Sequence, residues 1–249
     1  MTRKAVLVTR PVRQSAGILE AIENGGAHAV PFPLLRLDNL PLDQAAKQKV
    51  MNLDRYDLVI FISGPAVQFG MAWVENYWPQ LPVAITWFAV GTSTANRLRE
   101  YNVDAVTPTR ENSEGLLELD GLQQVNGRKV LIVRGAGGRE KLADTLRTRG
   151  AEVDYLETYR REKESWTSDD LYKLLDKYQV GIIMITSGAA LDHLAQLMHI
   201  AATRSQVELI LPSERLVERA STLGFSHCHL AFGADDDSML DTTLKTIET

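Results

Sequence analysis

Hydrophobic residues along the chain form short continuous runs, separated by segments in which they recur every three or four positions. Short β-branched runs are typical of buried strands, and the recurring pattern is typical of amphipathic helices. Strands are predicted over residues 5–9, 58–62, 86–90, 103–106, 130–133, 181–185, 207–211 and 227–232. Helices are predicted over residues 14–24, 66–73, 95–101, 115–119, 169–178, 189–198, 214–223 and 238–246, and one more ends at Arg149. This alternation predicts an α/β fold with parallel sheets and right-handed crossover connections.

The chain also contains an internal repeat. Two pairs of segments match at the same spacing of 124 residues: VLVTR with VLIVR, and IFISGPA with MITSGAA. The first pair aligns Arg10 with Arg134, and the second aligns Ser63 with Ser187. A duplication of this kind predicts two similar domains.

Two extended stretches without helical periodicity, 31–40 and 153–164, look like crossings between these domains. If both cross, the chain begins in one domain, completes the second and returns to finish the first. The predicted limits are 1–35 with 164–249 for the first domain, 39–158 for the second, and 36–38 with 159–163 for the linker strands.

The composition is that of an ordinary soluble protein, with 45% hydrophobic and 24% charged residues among 249. A net charge of −5 argues against nucleic acid or an anionic membrane as partner. The N-terminal apolar run is too short for a signal peptide, and the longest uncharged run, 58–74, is too short to span a bilayer. The single cysteine, Cys228, fits a reducing compartment. We therefore expect a cytoplasmic protein.

Hydroxyl side chains recur where a predicted strand ends and a helix begins. One such residue is explained by helix N-capping, which contributes about 1 kcal/mol. Together they indicate more, because ligands of open parallel sheets bind beyond the carboxyl ends of the strands, where helix N-termini favour anions. We therefore predict an anion-binding cleft between the domains. The hydroxyl positions are Thr9, Ser63, 92–94, Ser113, Ser187 and Ser213.

The glycine turn at 135–138 resembles the start of a dinucleotide site. That pattern would need a third glycine at position 140, where this chain has Glu140, and the chain has no P-loop lysine pattern. What remains is a short backbone cradle at Gly135, flanked by Arg134 and Arg139, which suits a carboxylate or a phosphate.

Two further features have weaker chemical interpretations. In a strand, His227 and His229 share one face and Cys228 points away, so the three cannot easily hold one ion, and we expect no metal. Tyr159 ends the second crossing, where its phenol could face the cleft. From the residues alone, interface packing is the favoured role of Tyr159.

Several motifs follow one another along the chain in this order: TRP, FISGPAV, VGTSTA, SEGLL, RGAGGRE, GAEV with YRR, TSGAAL, and PSER with LGF. Their order and spacing resemble those of the uroporphyrinogen-III synthase family over nearly the whole chain. The resemblance implies two flavodoxin-like α/β domains joined by a two-stranded extended linker, with a discontinuous first domain. It implies closure of the linear tetrapyrrole hydroxymethylbilane into uroporphyrinogen III, with inversion of ring D and loss of water, and without cofactor or metal.

The resemblance also implies roles for particular residues. Tyr159 matches a tyrosine that assists loss of the hydroxyl group as general acid. Thr94 matches the threonine of the V-G-x-x-T-A turn, Ser187 matches a family serine, and Ser63 is its internal counterpart. Arginines are inferred as carboxylate contacts from charge and position. The predicted substrate-binding residues are Thr9, Arg10, Ser63, Thr94, Ser113, Arg134, Gly135, Arg139, Ser187 and Ser213.

Some alternatives stay open at this point. Ser213 takes the position of a family hydroxyl only loosely, because Glu214 stands beside it. A two-lobed small-molecule anion-binding protein without catalysis would have the same outline, and a flavin or nucleotide binder would lack its phosphate loop. For the enzyme we expect a monomer with a small-molecule substrate and a transient contact with the enzyme that supplies hydroxymethylbilane.

Overall fold

Two five-stranded sheets organise the chain, one in each of two units. The structure is a computed structural model and describes residues 5–248. The first unit combines the chain up to Arg36 with the chain from Glu162 onward, and the second unit is Leu37–Arg161. The strands are β1 Ala5–Val8, β2 Ala29–Pro31, β3 Leu35–Asn39, β4 Leu58–Phe61, β5 Thr86–Ala89, β6 Lys129–Gly135, β7 Glu152–Lys163, β8 Val180–Met184, β9 Glu208–Leu211 and β10 His227–Leu230.

The helices follow the strands in the expected alternation. They are α1 Ala16–Asn24, α2 Gln44–Met51, α3 Gly64–Val74, α4 Thr92–Arg99, α5 Ser113–Glu118, α6 Asp120–Gln123, α7 Lys141–Thr148, α8 Ser168–Tyr178, α9 Gly188–Leu197, α10 Ala201–Arg204, α11 Glu214–Thr222 and α12 Asp236–Ile247. Within residues 5–248, no helix is both long and apolar enough to cross a membrane.

The sheet of the first unit has the order β10-β9-β8-β1-β2, and its pairs are parallel. Alternate residues of β1 enter different cores: Leu7 packs in one hydrophobic cluster, and Val6 and Val8 pack in another. Both faces of the sheet are therefore covered, which is why its strands appear in the sequence as continuous apolar runs.

The sheet of the second unit has the order β3-β7-β6-β4-β5, with parallel pairing of β4 to β5, β4 to β6 and β6 to β7. Here Val59 and Phe61 belong to one core, and Leu58 and Ile60 belong to the other. An isolated parallel bridge joins Val106 to Phe88 beyond β5. When strands matched by the 124-residue repeat are compared, β2-β1-β8-β9 in the first unit corresponds to β7-β6-β4-β5 in the second.

Both passages of the chain from one unit to the other lie in neighbouring strands, β3 and β7. The Leu40 N–H donates to the Thr158 carbonyl at 3.0 Å, and the Glu164 N–H donates to the Leu34 carbonyl at 3.1 Å. The later residue, Leu40, meets the earlier position on the other strand, Thr158, and the earlier residue, Leu34, meets the later position, Glu164. The two strands therefore run antiparallel.

The predicted fold class is confirmed, but local predictions differ from the structure at several places, among them the short helices α6 and α10, which were not predicted. Helix α2 is not predicted because half of its residues are polar and only Val50 is buried, although Asp43 caps it by accepting from the Ala46 N–H at 2.8 Å. The strand predicted over 103–106 is wrong, since only the bridge at Val106 forms. The domain limits given above stay predictions.

Candidate active site

Three predicted site residues meet at one edge of the sheet in the second unit. Ser63 follows the end of β4, Gly135 ends β6, and Tyr159 lies in β7, the strand on the other side of β6. Because β4, β6 and β7 are parallel neighbours, their carboxyl-terminal parts lie side by side. The β6–β7 register pairs Gly135 directly with Tyr159.

The Tyr159 hydroxyl has two polar neighbours. Its oxygen lies 3.0 Å from the Ser63 Oγ and accepts a hydrogen bond of 3.1 Å from the Arg161 Nη2. Ser63 also accepts from the Ala66 N–H at 3.2 Å and so caps α3. Tyr159 as a whole is only 1% exposed, and its ring centroid lies 5.7 Å from that of Phe69. The ring of Tyr159 is therefore buried, and its hydroxyl is hydrogen-bonded to Ser63 and Arg161.

Glycine at position 135 makes room for the Tyr159 ring. A Cβ there would lie 2.7 Å from the Tyr159 Cζ and 2.8 Å from its Cε2, closer than real Cβ atoms approach other groups. The backbones also meet, because the Ala136 N–H donates to the Tyr159 carbonyl at 2.7 Å. Gly135 thus accommodates the tyrosine, a function that the cradle interpretation of the glycine turn did not anticipate.

Arg134 is buried and turned into its own loop. Its side chain is 3% exposed, donates to the Gly135 carbonyl at 3.2 Å and to Glu140 at 3.1 Å, and bonds the Gly137 carbonyl. Glu157 lies 3.6 Å from the Arg134 Nε and accepts from the Gly137 N–H at 3.2 Å. The predicted carboxylate cradle therefore holds two carboxylates of the chain itself, and Arg139 lies exposed beside it.

Tyr155 completes this cluster. The Arg134 guanidinium carbon lies 4.3 Å from the Tyr155 ring centroid, and the Tyr155 hydroxyl donates to Glu140. That hydrogen bond, together with Arg134, holds the pKa of Glu140 below its usual value, while burial and the same carboxylate raise the pKa of Tyr155 to about 12. These groups fix the turn that follows β6.

Thr94 and Ser113 belong to the same unit but make different contacts. Thr94 is buried in the first turn of α4, at whose start the Thr92 N–H donates to Glu111 at 2.8 Å. Hydrogen bonds from Thr92 hold the pKa of Glu111 below its usual value. Ser113 is the first residue of α5, and Asn112 caps that helix by accepting from the Gly115 N–H at 2.8 Å.

The remaining predicted residues lie in the first unit. Buried Thr9 donates to the Met184 carbonyl at 2.6 Å, and Arg10 pairs with Asp236. Ser187 caps α9 just as its counterpart Ser63 caps α3. Ser213 is half-buried before α11, whose first residue is the exposed Glu214.

His229 and Cys228 lie in separate environments. His229 Nε2 lies 2.9 Å from a Glu208 oxygen, and burial raises the pKa of the Cys228 thiol. In the part of the chain that the structure describes, no three histidine, cysteine, aspartate or glutamate side chains are grouped to hold a metal ion.

One residue at the Tyr159 site was missed by the sequence reasoning. Arg161 is exposed, donates to the Tyr159 hydroxyl, and places its guanidinium carbon 5.4 Å from the Tyr159 ring centroid. The available signal was the two-residue period of a strand, which puts residues 159 and 161 on one face. A phenol held in this way can donate a proton, and the resulting phenolate would be stabilised by the guanidinium N–H and the serine hydroxyl.

Comparison with known proteins gives a consistent picture. A family model described as "Uroporphyrinogen-III synthase HemD" matches residues 17–241. The uroporphyrinogen-III synthase of Escherichia coli (strain K12) is 33% identical over 245 residues, covering 95% of this chain and 98% of that one. Two solved structures share the fold, each covering 98% of this chain and 99% of the other. They are a mutant uroporphyrinogen III synthase of Thermus thermophilus, with TM-score 0.63 and 17% identity, and the enzyme of Helicobacter pylori 26695, with TM-score 0.62 and 16% identity.

The buried position of Arg134 predicts a structural role. Arg134→Met should lower the free energy of unfolding by about 2 kcal/mol or more, because it removes the partner of two carboxylates and of two carbonyls. Urea-induced unfolding of the two proteins measures this difference in the free energy of unfolding. Arg139→Met, an exposed neighbour with the same charge change, should stay within about 0.5 kcal/mol of the wild type. Unchanged stability of Arg134→Met would show that the cluster does not hold the turn.

The close approach at Gly135 predicts that even one methyl group is costly. Gly135→Ala should destabilise the protein by about 1–3 kcal/mol, because the buried Tyr159 ring must move. Gly188→Ala is the matched control, since its Cβ would meet only the Leu216 Cδ2 at 3.6 Å. Chemical denaturation of both variants tests the packing, and equal stabilities would contradict it.

Proposed function

Because the chain belongs to the uroporphyrinogen-III synthase family, we propose that Tyr159 is the general acid with which it closes hydroxymethylbilane into uroporphyrinogen III. The placement of the Tyr159 hydroxyl between the Ser63 Oγ and the Arg161 Nη2 is the observation that carries this assignment. The enzyme is a lyase of tetrapyrrole and haem biosynthesis, and water is the group that leaves.

The chemical step needs a proton at the substrate's hydroxyl group. Tyr159 gives its proton to that oxygen, the carbon–oxygen bond breaks with both electrons going to oxygen, and water departs. Loss of water leaves a protonated azafulvene at the former hydroxymethyl carbon. The substituted carbon of ring D attacks it, and the spiro intermediate fragments and recloses with the ring inverted. The proton lost from carbon at the final closure restores the phenol, so the tyrosine is regenerated.

We propose that the substrate approaches the hydroxyl end of Tyr159, on the side of Ser63 and Arg161. The ring itself is enclosed by Phe69 and Gly135, whereas half-buried Ser63 and exposed Arg161 flank the hydroxyl. Hydroxymethylbilane closes unaided to the wrong isomer, so the main task is to hold one productive shape while the proton is transferred.

Local donors, and not net charge, hold the polycarboxylate substrate in this acidic protein. Helix N-termini and hydroxyls favour carboxylates. We keep as proposed contacts Ser63, Thr94, Ser113, Arg139, Ser187 and Ser213. For Thr9, Arg10, Arg134 and Gly135 a direct contact requires exchange of their present partners, so we propose that they shape the loops that carry the contacts.

We also propose the cellular setting and the domain layout. The two units act as domains, with linker strands 36–38 and 159–163. The single cysteine supports work in the cytoplasm. We propose that the protein is a monomer. Because the substrate cyclises unaided, we also propose that the protein receives it in a transient contact with the enzyme that supplies it.

Product analysis tests the activity. Incubation of the protein with hydroxymethylbilane should give mainly the type III isomer, separated from type I by chromatography after oxidation. Heat-denatured protein is the control and should give type I. Only type I product from the folded protein, at the uncatalysed rate, would instead support a binding protein without catalysis.

Substitution of the tyrosine tests its role. Tyr159→Phe should lower kcat by about tenfold or more while the protein stays folded, because the variant keeps the ring and loses the proton donor. Tyr178→Phe, on α8 in the first unit, is the control and should keep wild-type kinetics. Steady-state kinetics and circular dichroism measure the two effects. Wild-type turnover of Tyr159→Phe would reduce this residue to packing.

A further inference from the structure

We propose that Arg161 is a positioning residue for this reaction: its guanidinium fixes the Tyr159 hydroxyl and stabilises the phenolate that forms when the proton leaves. The inference rests on the proposed role of Tyr159 as general acid. It adds a residue that the sequence reasoning did not select.

The contact between the two side chains is made at two points. The Arg161 Nη2 donates to the Tyr159 oxygen at 3.1 Å, and the Arg161 guanidinium carbon lies 5.4 Å from the ring centroid. Both residues lie on β7, two positions apart, so the strand itself sets their spacing. With Ser63 at 3.0 Å on the same oxygen, the hydroxyl is held in one orientation.

The charge of Arg161 matters most after proton transfer. Arginine stays protonated at any working pH, so its N–H faces a neutral phenol before the step and an anionic oxygen after it. A charge-assisted hydrogen bond is stronger than a neutral one. An interaction that strengthens as the reaction proceeds lowers the barrier instead of merely tightening binding.

Arg134, a second arginine near the site, cannot stabilise the Tyr159 phenolate. It is buried and already paired with Glu140 and Glu157. Arg161 is exposed, so its removal leaves the packing of the sheet intact.

The internal repeat indicates that this cluster is specialised. Ser63 has its counterpart in Ser187, but the position 124 residues before Tyr159 is occupied by Leu35. Phe69, which packs on Tyr159, has its counterpart in His193, whose Nδ1 lies 2.9 Å from the Leu34 carbonyl. The duplication therefore kept the capping serine twice and placed the tyrosine with its arginine in the second unit.

Steady-state kinetics of single and double variants test the inference. Arg161→Met should lower kcat by about tenfold with KM changed by less than about twofold, and Arg161→Lys should recover part of the loss. In the Tyr159→Phe background, Arg161→Met should cause no further loss, because its partner is absent. Arg160→Met has the same charge change on the opposite face of the strand and is the control, with kcat near wild type.

The possible failures are distinguishable. A slow Tyr159→Phe together with a wild-type kcat for Arg161→Met would overturn the role of Arg161 and leave that of Tyr159 intact. Equal, additive losses in both backgrounds, or a change confined to KM, would place Arg161 on the substrate and also overturn it. Wild-type kinetics of Tyr159→Phe would remove the general acid and this inference with it.

Discussion

The parallel pairing of β6 with β4 on one side and β7 on the other places the groups of the candidate active site. It brings Ser63 from the end of β4 to the hydroxyl of Tyr159 on β7, across the width of a single strand. That strand can lie between them only because it ends in Gly135, where the tyrosine ring occupies the space of a side chain. The strand order and the absence of a side chain at Gly135 therefore place the Tyr159 hydroxyl next to Ser63 independently of any charge.

Charge then acts locally in an acidic protein. Arg134 pairs with Glu140 and Glu157 at the turn after β6, and Glu111 lies at the start of α4. The chain therefore fills several of its own anion-favouring positions with carboxylates. This is a physical reason why net charge says little about whether a protein of this kind binds a polyanionic substrate.

The sequence predicted the fold class well, because buried parallel strands are continuous apolar runs and the repeat is preserved at a fixed spacing. It failed where burial is slight: α2 buries only Val50, and near Val106 only one bridge forms. At the site, the glycine turn with its flanking arginines suggested carboxylate binding at Arg134 but could not reveal that this side chain is buried and paired with Glu140 and Glu157. The partnership of Arg161 with the tyrosine was accessible from strand periodicity, yet only the coordinates show that the two side chains meet.

The strand β7 carries the tyrosine and its arginine and continues to Lys163, beyond the point where the chain leaves the second unit. In a strand, one inserted or deleted residue turns every later side chain to the opposite face. A length change before Tyr159 would therefore take it away from Ser63, and one between residues 159 and 161 would separate phenol from guanidinium. A change of length in this segment therefore disturbs the site more than a conservative substitution at a single position does.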